Sequence, residues 1–173
     1  MKDYVVLVNE QNKPLGTAEK LEIHSKQTPL HRGFSLFLFN PKGELLLQQR
    51  SLAKKTWPGV WSNSVCGHPK LYESAIKAAK RRLAFELGIH QAEITIALPD
   101  YRYKVEKDGI VENELCPVMI GYTDQIPVPN PDEIEAIKWI PWQEWLAEIK
   151  KKPEQYSPWC VEETELLVKN KKI

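Results

Sequence analysis

The chain has little of what marks many specialised proteins. Its opening stretch, MKDYVVLVNEQNK, holds an apolar run of only five residues. That is too short for a signal-peptide core or a membrane span, so the expected location is cytoplasmic. Cysteine is scarce: Cys66, Cys116 and Cys160 are an odd, widely spaced set, which argues against a disulfide framework and for reduced thiols. Net charge is almost absent, at +1, so neither nucleic acid nor a membrane surface is expected as the main partner, and any bound anion must be held by local charge. There is no internal repeat and no low-complexity segment.

What remains is 173 residues of ordinary composition, the length of one domain, so residues 1–173 are expected to form a single globular unit. YVVLV, the turn-rich NEQNKPLG and TAEKLEI read as a strand, a turn and a second extended piece. GFSLFLFN-PKG-ELLLQQR reads as a hairpin with strands near 33–39 and 44–49, apolar enough to be buried on both faces. From Glu73 to Leu87, Ile76, Ala79, Leu83 and Leu87 recur at helical steps, with Gly88 as C-cap. Further strands are expected around KDG and in IEAIKWI, the latter leading through PWQEW into a short helix. Ser157 and Pro158 form an N-cap and first-turn pair for a terminal helix. The expected class is α+β, an α/β sandwich with a mixed sheet packed between helices.

Metal-compatible side chains gather in few places. His24 and His31 precede the long hairpin, His68 follows Cys66 by two residues, and VENELCP carries Glu112 and Glu114. Residues two apart on a strand share a face, so these carboxylates converge and call for a positive charge between them. Three imidazoles with two carboxylates suit Zn, Mn or a similar divalent ion. A solvated edge-strand pair of glutamates and unrelated surface histidines are the bland alternative.

GHPKLYESAIKAAKRRLAFELGI resembles the Nudix box, G-x5-E-x7-R-E-U-x-E-E-x-G-U with U apolar. Gly67, Glu73, Arg81, Glu86 and Gly88 match, while Arg82 and Phe85 stand where hydrolases carry glutamates. Fewer carboxylates weaken metal-assisted hydrolysis, whereas one glutamate can still meet a Mg ion bridged to a diphosphate. The pattern points to binding a diphosphate without cutting it.

Together, NSVCGHP, DYRYKV, GIVENELCPV and YSPW resemble type I isopentenyl diphosphate isomerases, a Nudix-fold family, in the same order along nearly the whole chain. The resemblance implies that His24, His31, His68, Glu112 and Glu114 hold a divalent ion (Mn, Zn or Mg), and that Glu86 helps hold a Mg carried with the substrate. It implies that Cys66 and Glu114 exchange protons with a five-carbon skeleton, with Tyr103 beside them and Trp159 over the hydrocarbon. Lys20, Arg50, Lys54 and Arg82 fall where the family holds the diphosphate; an arginine in a hydrolase glutamate's place then gains a reason, since its fork grips phosphate. The expected partner is a small allylic or homoallylic diphosphate, and the expected state a monomer or weak dimer. Which of Cys66 and Glu114 gives the proton stays open.

Two other readings stand beside this one. A Nudix hydrolase of some diphosphate would need more box carboxylates; a noncatalytic metal-braced module leaves Cys66, Tyr103 and Trp159 without a purpose. Cys116 and Cys160 read as packing residues, and Trp139, Trp142 and Trp145 as core aromatics. Trp57 and Trp61 flank the PGV turn and either line the hydrocarbon pocket or cover it.

Overall fold

Turn chemistry shapes the start of the computed structural model, which describes residues 3–173. Asn9 Oδ1 accepts from the backbone N–H groups of Gln11 and Lys13, and Asn12 takes the left-handed conformation (φ 59°). This reverses the chain between β1 (Tyr4–Val8) and β2 (Pro14–Glu19). The extended piece expected over TAEKLEI stops at Glu19, and Lys20–Ile23 form a single helical turn, α1. The His24 ring N–H donates to the Lys20 carbonyl at 2.6 Å, closing that turn in preference to continuing the strand.

The remaining strands are β3 (His31–Arg32), β4 (Phe34–Phe39), β5 (Glu44–Arg50), β6 (Trp61–Ser62), β7 (Val65–Gly67), β8 (Glu93–Leu98), β9 (Arg102–Lys107), β10 (Ile110–Leu115), β11 (Val118–Tyr122) and β12 (Ile134–Pro141). The helices are α2 (Ala75–Leu87), α3 (Trp142–Lys151) and α4 (Pro158–Lys169). The strands divide into two mixed sheets. One has the order β2-β1-β3-β10-β9, the other β12-β5-β4-β11-β8 with β6 on β5 and β7 on β4. Two stretches of chain cross between them side by side. One passes from β3 to β4 at Gly33, the other from β10 to β11 at Cys116 and Pro117; β3 is parallel to β10 and β4 to β11. Gly33 N–H to Leu115 O (2.9 Å) and Ser35 N–H to Pro117 O (3.2 Å) hold the crossing together.

All six residues of β4 are buried, as its apolar run requires. Phe37 and Phe39 face a core shared with Trp145, Ile149 and Leu167 of α3 and α4. Phe34, Leu36 and Leu38 face the opposite core, against Ala78, Ala79, Leu83 and Leu87 of α2. The second sheet is thus the one packed between helices. Helix α2 is capped at both ends: Ser74 Oγ accepts from Lys77 N–H at 3.3 Å, and Gly88, at φ 64°, returns its N–H to Ala84 O. Ser157 occupies the N-cap position of α4 but makes no side-chain cap bond; its hydroxyl meets that of buried Ser62 at 2.8 Å. Inside the protein, a second hydroxyl needing a partner outcompetes the helix end.

Trp145 is fully buried, crosses Tyr156 edge-on at 4.7 Å and donates its indole N–H to Thr164 Oγ1. Truncating so large a core side chain to alanine costs about 3–5 kcal/mol. Equilibrium urea unfolding of Trp145→Ala should show that loss as a lower midpoint with an unchanged slope. Of the other two tryptophans in KWIPWQEW, Trp139 and Trp142 are only partly buried and pack at the margins of the two cores. No helix among the described residues is long and apolar enough to cross a membrane.

Candidate active site

The crossing between the sheets brings distant ligating residues together. His24 follows α1, His31 lies on β3, His68 follows β7, and Glu112 and Glu114 point from the same face of β10. The three imidazole rings sit 5.2–6.1 Å apart. His24 Nδ1 donates to Lys20 O and His31 Nδ1 to Pro29 O at 2.9 Å. A carbonyl can only accept, so each Nδ1 carries a proton, and Nε2 is the atom left bare whenever the ring holds a single proton.

These bare nitrogens face carboxylates. His24 Nε2 lies 3.0 Å from Glu112 Oε2, and His68 Nε2 and His31 Nε2 lie 2.9 and 3.4 Å from the same Glu114 oxygen. The His31 nitrogen is fully buried with no hydrogen-bond partner. Lone pair against lone pair repels unless a proton or a metal ion sits between. Ligands about 2.1 Å from a shared ion and at right angles stand about 3 Å apart, so the observed spacings suit a divalent ion. Burial opposes charge on Glu114, but His68 and His31 overcome it and hold the carboxyl well below its ordinary range. Burial likewise opposes charge on His31, yet Glu114 raises its pKa. Burial dominates at His68 and takes it down to about 4.

Gly33 makes this arrangement possible. A Cβ there would lie 1.7 Å from Glu114 Oε2, so any side chain would displace the carboxylate. The HRG triplet gave no hint of this, because the conflict is with a residue 81 positions away in the chain (114 − 33).

Beside the imidazoles, a cavity of about 440 Å³ is lined by Lys20, Arg50, Lys54, Arg82, Glu86 and Cys66, among others. All four cations expected to hold a diphosphate therefore meet in one place. Arg82 donates to Glu86 and to Glu133, each at 2.7 Å, and Lys54 also pairs with Glu133. Arg50 donates to the Thr56 and Trp57 carbonyls, which shapes the loop closing the cavity. Burial lowers the pKa of Lys20, against the pull of Asp3. Burial raises that of Glu86, against Arg82. Glu133 lies on the loop before β12, and nothing in NPDEIE distinguishes it from a solvated acid; only the fold turns it toward Lys54 and Arg82.

The other Nudix-box residues have structural work. Glu73 accepts both Arg81 Nε and Nη2, at 2.9 and 2.7 Å, and the Lys70 N–H, locking the loop ahead of α2. Gly67 lets Phe34 and Arg82 approach, since a Cβ there would come within 3.2–3.3 Å of each. Phe85 is half exposed and lies under the Arg82 guanidinium, 5.0 Å from it.

A narrower space shares Lys20, Arg50, Thr56 and Cys66 with this cavity and is also walled by Tyr103, Glu114, Trp159 and His68. Trp159 stacks on Tyr103 at 5.6 Å, and Trp57 meets Trp159 edge-on at 5.2 Å. Trp57 thus packs against the aromatic wall without lining the space. Trp61 instead lies under the Lys138 ammonium, 4.9 Å from it, and packs against the core. Tyr103 stands opposite Glu114 in the β9–β10 register, but its hydroxyl makes no hydrogen bond to that carboxylate, whose oxygens face His31 and His68. Burial, then Glu114, keeps Tyr103 a neutral phenol by raising its pKa well above normal.

Cys66 Sγ donates to Asn63 Oδ1 at 3.0 Å and lies 3.5 Å from Ser35 Oγ. Burial pushes the thiol up to about 12, with Glu163 adding to the rise. Cys116 and Cys160 are buried packing residues, although Cys116 also bonds Ser35. Ser35, Asn63 and Glu163 were not visible as site residues in the sequence. NSVCG offered Asn63 only as a neighbour of the cysteine, and VEETE reads as a solvated helix face.

Comparison with known proteins gives the family and the fold. The NUDIX domain model matches residues 29–160. The chain is 42% identical over 167 residues to the isopentenyl-diphosphate Delta-isomerase of Saccharopolyspora erythraea, covering 96% of this chain and 86% of that one. It is 44% identical over 156 residues to the same-named protein of Kocuria rhizophila, covering 90% and 87%. A crystal structure from Deinococcus radiodurans shares the fold at a TM-score of 0.67 and 21% identity, over 86% of this chain and 90% of that one. Matches of this extent span the histidines, the cysteine, the glutamates and the terminal tryptophan alike, and the chain belongs to the isopentenyl-diphosphate Delta-isomerases within the NUDIX domain family.

Proposed function

We propose that the protein interconverts isopentenyl and dimethylallyl diphosphate by adding a proton to one carbon and removing one from another, through a tertiary carbocation. The observation that carries this reading is the meeting of two spaces that share Lys20, Arg50 and Cys66: one rich in cations, the other walled by Tyr103 and Trp159 and flanked by Cys66 and Glu114. Lys20, Arg50, Lys54 and Arg82 bind the diphosphate, which takes over the Arg82 and Lys54 contacts now made by Glu133. The five carbons then lie between the thiol and the carboxylate.

The burial that pushes Cys66 up to about 12 keeps it a thiol ready to donate, while Glu114, held ionised, is ready to accept. In the reverse direction the two exchange tasks. Trp159 and Tyr103 present their π faces to the cation. One desolvated cation–π contact contributes about 2 kcal/mol, a factor of roughly 30 in rate. The larger share comes from placing the acid against the alkene in a site that excludes water.

A divalent ion held by His24, His31, His68, Glu112 and Glu114, whether Mn, Zn or Mg, would supply the positive charge that keeps Glu114 ionised and aimed. Glu86 would meet a Mg ion brought in with the diphosphate. Hydrolysis is the competing reading. It is disfavoured because the box helix offers Arg82 and Phe85 where hydrolases place carboxylates, and Arg82 is oriented by Glu86 to grip an anion.

The test is incubation with isopentenyl diphosphate and Mg in heavy water, followed by proton and phosphorus NMR. Deuterated dimethylallyl diphosphate without free phosphate is expected. Phosphate release with no new methyl signal would sink the isomerase reading.

A further inference from the structure

The carboxylate of Glu133 stands where the diphosphate is to be gripped. Both of its ion-pair bonds fall on one oxygen: Oε2 accepts from Arg82 Nη2 at 2.7 Å and from Lys54 Nζ. One oxygen shared by two cations is also what a phosphoryl group supplies, so Glu133 fills one position of the bound anion. Arg82 has a second and more permanent partner. Its Nε and Nη2 both meet Glu86 Oε1 at 2.7 Å, and Glu86, one turn further along α2, is almost fully buried. Taking Glu133 away therefore leaves the guanidinium aimed.

The backbone under this carboxylate is pinned on both sides. Glu133 N–H donates to Asn130 O and its carbonyl accepts from Ser51 N–H, each at 3.0 Å, and the next residue, Ile134, pairs with Arg50 in the β12–β5 register. Departure of the carboxylate needs only a change of rotamer. The side chains of Glu133, Arg82 and Lys54 are 16%, 19% and 26% exposed, so water can solvate the displaced carboxylate. That same water keeps the two bonds weaker than those of a fully buried pair. A carboxylate that stayed would sit against a polyanion, and like charges at that range oppose binding.

We propose that Glu133 sets the strength of the grip on the diphosphate, as a built-in competitor that occupies Lys54 and Arg82 in the empty site and is displaced when the diphosphate enters. This rests on the assignment of the cavity to a diphosphate under the isomerase reading. Substrate and product carry the same diphosphate, so a tighter hold on that group is uniform binding. It lowers KM without hastening the chemical step, and it slows departure of the product. A resident carboxylate weakens the hold and speeds exchange. It also gives two cations a counter-charge while the site is empty, which keeps Lys54, on the loop before β6, beside Lys20, Arg50 and Arg82. The diphosphate wins the exchange because it also reaches Lys20 and Arg50, whose side chains make no bond to Glu133.

The test is calorimetric titration of inorganic pyrophosphate, with Mg present, into the parent, Glu133→Gln and Glu135→Gln, beside melting temperatures and kinetics on isopentenyl diphosphate. Glutamine keeps the shape and removes the charge. A hydrogen bond to a charged group contributes about one to two powers of ten to an equilibrium constant. Discounted for exposure, loss of this competitor should tighten pyrophosphate roughly tenfold in Glu133→Gln. KM should fall in proportion with no rise in kcat, and the empty variant should melt below the parent until pyrophosphate removes the deficit. Glu135 is exposed and outside the cavity, so Glu135→Gln should bind within about twofold of the parent. A gain below about threefold in Glu133→Gln, a loss of affinity, or an equal gain in Glu135→Gln overturns the proposal, the last by tracing the effect to net charge. Should Glu133→Gln fold poorly, Glu133→Ala is held to the same threshold. A parent that turns over substrate beside a variant that binds pyrophosphate no better removes the competitor and leaves the isomerase reading intact. The expected tightening in a protein whose parent forms no dimethylallyl diphosphate keeps the competitor and removes the isomerase reading; a parent that binds no pyrophosphate removes both.

Discussion

Cys66→Ala should leave a folded, metal-binding protein whose kcat has fallen by about 10⁴. Alanine removes the thiol that faces the narrow cavity opposite Glu114, and general acid–base catalysis supplies up to about 10⁴. The site offers no ready substitute: Ser35 is a far weaker acid, and Tyr103 stands with Glu114 in the β9–β10 register. The thiol's own contacts are modest, a bond to Asn63 and a longer approach to Ser35, so truncation should cost about 1 kcal/mol of stability. KM should hold, because the cations binding the diphosphate are untouched. Side-by-side kinetics, melting and metal titration of parent and variant check this. Retention of more than a tenth of the parent's kcat would show that another group handles that proton.

Stripping the divalent ion with a chelator should abolish turnover and lower the melting temperature by about 10 °C. An ion present at a thousand times its Kd stabilises by about 4 kcal/mol, and each kcal/mol moves a protein of this size by about 2–4 °C. Three groups at this site have shifted proton affinities. His68 is lowered to about 4, so keeping it neutral costs stability below its unfolded value near ~6.5, and that cost is gone above it. His31 is raised, so its contribution is full below its unfolded value near ~6.5 and is lost as pH rises through the higher folded value. Glu114 is depressed, so its contribution is present above about 4.3 and is lost only as pH falls through the lower folded value. Above the range where the His68 cost operates, the metal-free protein relies on the His31 proton and weakens as the medium becomes alkaline. A metal ion takes that proton's place and needs the imidazole neutral. The gain in melting temperature on adding Mn or Zn should widen between pH 6 and pH 8. A constant or shrinking gain would mean the ion sits elsewhere, and His31→Ala should erase the gain at every pH.

Much of the architecture was legible because local rules and tertiary demands agree. The apolar run of β4 meant burial on both faces, and it has both. The spacing in α2, with Gly88 after it, described an amphipathic helix with its C-cap; the N-cap at Ser74, with the helix starting at Ala75 and not Glu73, came from the structure. Where the two disagreed, the interior prevailed. TAEKLEI turns into α1 so that His24 can enter the site, and Ser157 gives up its helix end to satisfy Ser62.

The site divides along a similar line. By itself the sequence determined which side chains are available: imidazoles, paired carboxylates on one strand face, a cysteine separated from a histidine by one glycine, and an arginine where a hydrolase has glutamate. Those follow from residue type and from spacing along one element, which need no knowledge of what lies across the fold. Only the tertiary structure decided that Gly33 must lack a side chain, that Glu133 faces Lys54 and Arg82, that Trp57 packs on Trp159 while Trp61 lies under Lys138, and that Glu163 lies buried without a hydrogen-bond partner. Each depends on a contact between segments far apart in sequence, and distance along a chain carries no record of which surfaces will meet once the apolar faces are buried.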